Sequence, residues 1–201
     1  MELLKDYPAL VLVGSWNHGV FHKEWVARFL LPNQELSVEF PFNDRASQRI
    51  TADRLRIHTM GDKLFFSPLV IDEQTCDLIE ELALKIADLL PHTPVKAFGV
   101  NFKYRETGNN ELLELLQTRD APKLKEDYGE LSNSTIRHSF NHNGKLVNID
   151  ILIRKEGVEI NTNFHFDIRN LLEFKEKIND HGLLELKNFS LELMRNVYNL
   201  D

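Results

Sequence analysis

Cysteine is almost absent from this chain, since only Cys76 occurs in 201 residues. No disulfide can therefore form within the chain, which suits a reducing compartment. Long hydrophobic runs are missing as well, and the short apolar run near the N-terminus follows an acid, Glu2. The sequence predicts neither a secretory signal nor a membrane span. We expect a cytoplasmic protein that has no membrane partner.

Positive charge is also scarce. The chain has 24 Lys and Arg residues against 31 Asp and Glu residues, for a net charge of −7. Nucleic-acid binding generally needs a broad positive field, so this balance disfavours a nucleic-acid partner. Glycine-rich phosphate-binding loops are missing too. A nucleophile elbow is also missing, because Gly14-Ser15-Trp16 lacks the second glycine of that motif. We expect no cofactor.

The pattern that remains is typical of an α+β protein with one mostly antiparallel sheet and helices on one face. We predict a single domain over residues 1–201, in which residues 1–106 and 107–201 are candidate sub-modules. The first has the ferredoxin-like order β-α-β-β-α-β with an extra strand, and the second is a three-stranded meander followed by two helices. Apolar spacing predicts helices over 21–31, 73–90, 110–117, 171–178 and 184–198, and strands over 9–13, 36–42, 55–58, 64–66 and 95–105. The polar stretch 119–132 is predicted to be a loop.

The meander, residues 134–168, has the clearest signals. Asn143-Gly144 is a strong two-residue hairpin turn, which places Arg137 opposite Asp150 and Ser139 opposite Asn148. A second turn at Glu156-Gly157 would place Asp150 opposite Asn163, and Asn148 opposite His165. These registers put aliphatic and aromatic side chains on one face of the meander and polar ones on the other.

That polar face is our candidate binding site. It consists of Arg137, Ser139, Asn148, Asp150, Asn163 and His165. Short polar side chains hold hydrogen-bond geometry well, which favours a recognition surface. The alternative is an ordinary solvated sheet face that carries one cross-strand ion pair.

A catalytic alternative uses the acids of the same strands. Asp150, Glu159, His165 and Asp167 could hold a divalent cation, in the manner of restriction-type nucleases, which place an acid before an acid-x-Lys pair. Asn161 stands where that pair needs lysine. His18 and His22 have i, i+4 spacing, but the Glu of the H-E-x-x-H motif is missing between them. We predict no metal site.

One segment resembles small bacterial proteins of uncharacterised function. The likeness rests on Leu64-Phe65-Phe66-Ser67-Pro68, on the helix that begins at Asp72, and on residues 89–102, LLPHTPVKAFGVNF. It covers about a quarter of the chain. The resemblance implies a prokaryotic cytosolic or phage-linked origin and an α+β fold, and it brings no assigned activity.

Since each catalytic template lacks a required residue, the favoured function is non-enzymatic. We expect a module that binds another protein through a sheet edge or through the polar face, as a homo-oligomer or as a subunit of an assembly. The alternative is a divalent-metal-dependent nuclease or phosphoesterase that uses Asp150 and its neighbours.

Overall fold

The structure is a computed structural model, and it describes residues 1–40 and 48–200. Within these residues the strands are β1 (Glu2–Leu3), β2 (Leu10–Gly14), β3 (Ser37–Glu39), β4 (Arg49–Thr51), β5 (Leu55–Met60), β6 (Lys63–Pro68), β7 (Val95–Glu106), β8 (Asn133–His142), β9 (Lys145–Arg154) and β10 (Gly157–Asp167). The helices are α1 (Lys23–Phe29), α2 (Glu73–Leu89), α3 (Asn110–Leu115), α4 (Ala121–Tyr128), α5 (Leu171–Asp180) and α6 (Leu183–Tyr198).

All described strands belong to one open sheet in the order β3-β4-β5-β6-β2-β7-β10-β9-β8, and β1 pairs with β7 beside β2. Every strand pair is antiparallel. The predicted α+β class and the mostly antiparallel sheet are therefore confirmed. The meander joins the first half of the sheet through β10, which pairs with β7 from Val158 to Asp167.

Two local predictions fail, and a third is confirmed only in part. Residues 121–128 of the predicted loop form α4, which begins with a proline in its first turn and buries none of its residues. The sequence does not predict the short strand β4. In the structure this strand pairs with both β3 and β5. The strand predicted over 36–42 is observed over Ser37–Glu39, and its last residues, Pro41 and Phe42, lie outside the described part of the chain.

One hydrophobic core joins both halves of the chain. On the inward face of β7, Phe98 stacks on Phe166 of β10 with ring centroids 4.5 Å apart, and it meets Phe174 of α5 edge-on at 5.0 Å. Helix α2 contacts α5 and α6 and buries Cys76, which raises the pKa of this thiol to about 11. The lone cysteine is thus a small buried side chain.

A hydroxyl cluster crosses this core between β7, β10 and α6. Tyr104 donates from its hydroxyl to Ser190 Oγ at 2.9 Å, and Ser190 Oγ lies 2.7 Å from Thr162 Oγ1. Thr162 also donates to the backbone carbonyl of Phe102. Burial raises the pKa of Tyr104 to about 12. Each hydroxyl is buried from solvent and depends on these hydrogen-bond partners. The cluster therefore orients α6 on the sheet.

We expect Ser190→Ala to lower the free energy of unfolding by about 1–3 kcal/mol, since it leaves the buried Tyr104 hydroxyl without its acceptor. The double variant with Tyr104→Phe should recover part of this loss, because it removes the orphaned group. Urea denaturation of both variants measures the difference. Equal losses in the single and double variants would show that the unpaired Tyr104 hydroxyl is not the source of the loss.

The start of α6 is held by a residue from another helix. Gly182 at its N-cap has no side chain, and Glu80 of α2 accepts a hydrogen bond from the backbone N–H of Leu183 instead. Burial raises the pKa of Glu80, and this hydrogen bond opposes the rise. Such a cap cannot be found from the sequence around α6, because the capping carboxylate lies about a hundred residues earlier.

Candidate functional site

The side of the sheet opposite α5 and α6, which we call the open face, carries the polar residues of β7 to β10. Helices α5 and α6 pack on the other side, where Phe98, Tyr104 and Phe164 point. Because side chains alternate along a strand, the neighbours of these residues lie on the open face. The six candidate binding residues are all on this face.

The first hairpin has the predicted register. Asn143 and Gly144 both have positive φ, 49° and 75°, as a type I′ turn requires. Arg137 is opposite Asp150, and Ser139 is opposite Asn148. Arg137 Nε donates to Asp150 in an ion pair, and Ser139 Oγ donates to Asn148 Oδ1 at 2.7 Å. Both predicted pairs are therefore joined by side-chain hydrogen bonds.

The second hairpin differs from the prediction by two residues. Its turn is Lys155-Glu156, closed by Arg154 opposite Gly157. Asn163 is consequently opposite Asn148, rather than Asp150, and His165 is opposite Leu146. Gly157 is needed at the start of β10, since a Cβ there would lie 2.3 Å from the carbonyl oxygen of Glu106. A shift of two residues keeps every side chain on its predicted face, because the strand repeat is two residues.

A chain of amide hydrogen bonds, which we call the amide row, runs across four strands of the open face. It comprises Ser139, Asn148, Asn163 and Asn101. Asn148 Nδ2 donates to Asn163 Oδ1 at 3.0 Å, and Asn163 Nδ2 donates to Asn101 Oδ1 at 2.8 Å. Asn101 Nδ2 then donates to the carbonyl oxygen of Pro8 at 3.0 Å.

The amide row means that these side chains use part of their hydrogen-bonding capacity on one another. Gly99, beside Asn101 on the same face, leaves room for the row, since a Cβ there would lie 2.9 Å from Asn163 Nδ2. Sequence reasoning missed Asn101 as a partner because the pairing of β7 with β10 depends on the tertiary fold. The signal that could have found it is the position of Asn101 among the small residues on one face of β7.

A second open-face cluster surrounds Glu159. Its carboxylate accepts from Lys103 at 2.8 Å and from Arg105 at 2.9 Å, and Arg154 lies 3.8 Å away. The hydrogen bond from Lys103 is the main cause that lowers the pKa of Glu159. With a side chain only 12 % exposed, Glu159 is enclosed by cations. This carboxylate serves as their counter-charge.

The four residues of the catalytic alternative do not converge. Glu159 and His165 are six residues apart on one strand, a distance of about 20 Å at the usual rise of 3.3 Å per residue. His165 Nε2 lies 3.2 Å from Asp167 Oδ1, and Asp150 is held by Arg137. Across residues 1–40 and 48–200, no three His, Cys, Asp or Glu side chains are grouped so that they could hold a metal ion. One cation could not contact all four proposed ligands.

A tyrosine from the N-terminal segment also lies over this face. Lys103 Nζ is 5.4 Å from the centre of the Tyr7 ring, within the range of a cation–π contact. Burial raises the pKa of Tyr7, and the charge of Asp150 adds to the effect. Tyr7, Phe65, Gly99 and His165 line a shallow groove of about 280 Å³. The open face is thus partly covered by the protein's own N-terminal segment.

At one end of the described sheet, the edge strand is β8. This strand has ten residues, pairs regularly with β9 from Asn133 to His142, and is exposed at eight of its ten positions. In a hairpin with a two-residue turn, the closing pair, His142 and Lys145, is hydrogen-bonded, and bonded pairs then recur at every second residue. The backbone N–H and C=O groups of Thr135, Arg137, Ser139 and Asn141 therefore point away from the sheet.

An apolar groove of about 740 Å³, which we call the edge groove, lies along β8 on the helix side. Its walls come from α3 and α6, and its main apolar residues are Leu115, Phe140, Ile149, Leu193, Val197 and Tyr198. Leu115 is 56 % exposed, Val197 54 % and Phe140 38 %. His138 also lines this groove and is exposed. His138 is exposed because it lies on the edge strand of the sheet.

No helix in the described ranges, 1–40 and 48–200, combines the length and apolar character needed to cross a membrane. Comparison of the chain with protein-family models, with curated proteins and with solved structures found no match.

Proposed function

We propose that this chain is a non-enzymatic module that binds protein, and that the free edge of β8 is its binding element. The observation that carries the proposal is the long and regular edge of β8, which no described strand covers, beside an exposed apolar groove. An added strand would gain main-chain hydrogen bonds from β8, and its alternate side chains would enter the edge groove. The edge and the open face meet at Arg137 and Ser139, so a partner could contact both.

The composition of β8 supports this function. Proteins that must keep a sheet edge free of partners usually shorten it, or protect it with Lys, Pro or a bulge. The strand NSTIRHSFNH has neither Lys nor Pro, and its pairing with β9 is continuous. At the other end of the strand order, β3 has only three residues. The long edge is therefore the one that is left unprotected.

We also propose that the first half of the chain is a ferredoxin-like unit in a cytosolic protein of prokaryotic or phage-linked origin. The neighbours β7-β2-β6-β5, with α1 after β2 and α2 after β6, are in the order that this unit requires. Strands β3 and β4 would be its additional strands. The single cysteine supports the cytosol, and the segment from Leu64 to Phe102 supports the bacterial resemblance.

Site-specific photo-crosslinking tests the binding function. A benzophenone amino acid replaces Asn141 at the edge or, as a matched exposed control, Leu172 on α5, and each full-length variant is irradiated in lysate of cells that express it. We expect a protein adduct from position 141 and none from position 172. Thr135→Pro should remove the adduct, because proline deletes an outward N–H. Equal labelling from both positions, or no adduct at all, would contradict the proposal.

A further inference from the structure

We infer that the partner at the edge of β8 is a second copy of this chain, and that the two β8 strands pair antiparallel about a two-fold axis at His138. This inference rests on the proposed function and names the occupant of the same edge. The two sheets would then continue into one another across the axis. In a two-fold dimer the same surface is used by both copies, so each feature of β8 must complement itself.

The backbone meets this condition. With the axis at His138, Arg137 faces Ser139 of the second copy, and Thr135 faces Asn141. All four are residues whose N–H and C=O groups point away from β9 in each copy. The pairing makes about eight main-chain hydrogen bonds, close to the number that a standard-size protein interface carries. The edge is thus long enough for a stable dimer.

Two positions of the axis, at Arg137 and at His138, give the two β8 strands the fullest overlap. Charge selects the axis at His138. An axis at Arg137 would place two guanidinium groups directly opposite each other, which is unfavourable in a sheet. Moving the axis to His138 brings Arg137 against the Ser139 hydroxyl of the other copy. Arg137 uses Nε on Asp150, and Ser139 donates to Asn148, so guanidinium donors meet a hydroxyl that can still accept. No acidic residue occurs in β8, so no carboxylate on this strand competes with Ser139 for the Arg137 guanidinium.

Apolar surface agrees with the same axis. On the helix side, Ile136 of one copy faces Phe140 of the other, directly over the edge groove. The exposed residues Leu115, Phe140 and Val197 would be covered in both copies at once. Removing such side chains from water is the main favourable term in forming a homodimer.

The first test is the mass of the full-length protein in solution, measured by sedimentation velocity from 1 to 100 µM, a range chosen for a dimer of about micromolar affinity. We expect a monomer–dimer equilibrium for the native chain and for Asn141→Ala. Asn141→Pro should remain monomeric, because it differs from the alanine variant at the outward N–H. Circular dichroism and a urea melt confirm that both variants are folded. A native chain that is monomeric throughout, or a dimer that survives Asn141→Pro, overturns the inference.

The second test reports the axis. In a Cys76→Ser background, His138→Cys should form a disulfide between copies under mild oxidation, since opposed residues at a non-hydrogen-bonded pair have Cα atoms about 4.5 Å apart. Arg137→Cys should cross-link much less. The reverse preference would overturn the axis. A monomeric chain that still gives edge-specific adducts with another protein would overturn the dimer and leave the proposed function standing.

Discussion

Replacing Phe98 by alanine should lower the free energy of unfolding by about 3–5 kcal/mol, the usual cost of deleting a fully buried phenylalanine. Phe98 is completely buried, stacks on Phe166, and meets Phe174 of α5 edge-on. Its ring therefore joins β7, β10 and α5. At this chain length each kcal/mol corresponds to a fall of about 2–4 °C in the melting temperature.

Urea denaturation and calorimetry measure this loss. Phe98→Leu should lose less, since it retains most of the apolar volume, and Leu172→Ala, at an exposed position of α5, should change stability by less than about 0.5 kcal/mol. In a double-mutant cycle, Phe98→Ala and Phe174→Ala should be non-additive because the rings touch. A loss below about 1 kcal/mol for Phe98→Ala would mean that this aromatic contact does not hold the two halves together.

Acid should destabilise this protein in a pH range set partly by His58. The imidazole stacks on Phe65 at 4.6 Å, and its Nδ1 has no hydrogen-bond partner among the residues that the structure describes. Burial is the main cause that lowers the pKa of His58 to about 4, and the charges of Arg49 and Arg56 add to it. The folded state therefore holds this ring neutral, whereas the unfolded chain takes up a proton near the ordinary pKa of 6.5.

The sign follows from proton binding. Above pH 6.5 both states are neutral at His58, so stability is not affected by this group. Between pH 6.5 and about 4 the unfolded state binds the proton and the folded state does not, so stability falls as the pH falls. The loss is about 2–3 kcal/mol over that range, at up to about 1.4 kcal/mol per pH unit.

His58→Phe is the variant that isolates this effect. It keeps a ring on Phe65 and removes the titration, so the native chain and the variant should diverge in stability by about 2–3 kcal/mol between pH 7 and pH 4. Phe65→Leu changes the same stack without removing the proton site and should keep the native slope. Urea midpoints at half-unit pH steps measure the divergence. Parallel pH profiles for the native chain and His58→Phe would disprove the assignment.

The amide row explains why we place binding at the edge rather than on the flat polar face. Hydrogen bonds connect the side chain of Asn148 to that of Asn163, and Asn163 to Asn101. Three cationic side chains enclose Glu159. These groups satisfy one another across neighbouring strands. Among the described strands, none lies beyond the outward backbone groups of β8, and the apolar residues beside these groups are exposed. Unpaired main chain next to exposed apolar surface is the arrangement that favours another protein strand.

Local chemistry made some of these features predictable. Asn143-Gly144 fits a type I′ turn, and the register of β8 on β9 follows from it with no error. Asp72 caps α2 by accepting from the Thr75 N–H, as an acid before an apolar repeat predicts. By contrast, Glu156-Gly157 looked like a turn, but Gly157 is required for close contact with Glu106. Residues 121–128 have no strong apolar period, and α4 forms with its side chains largely in water.

The amino-acid sequence alone determined the α+β class, the main helices, the first hairpin and the two faces of the meander. Those features depend on turn chemistry and on repeats of two or 3.6 residues, which act over a few neighbours. Tertiary structure decided which strands meet, and so brought Asn101 to Asn163, Glu80 to α6 and Lys103 to Glu159. The tertiary structure also placed β8 at the edge of the sheet. Such pairings join residues tens of positions apart, and the packing of the whole core selects among them.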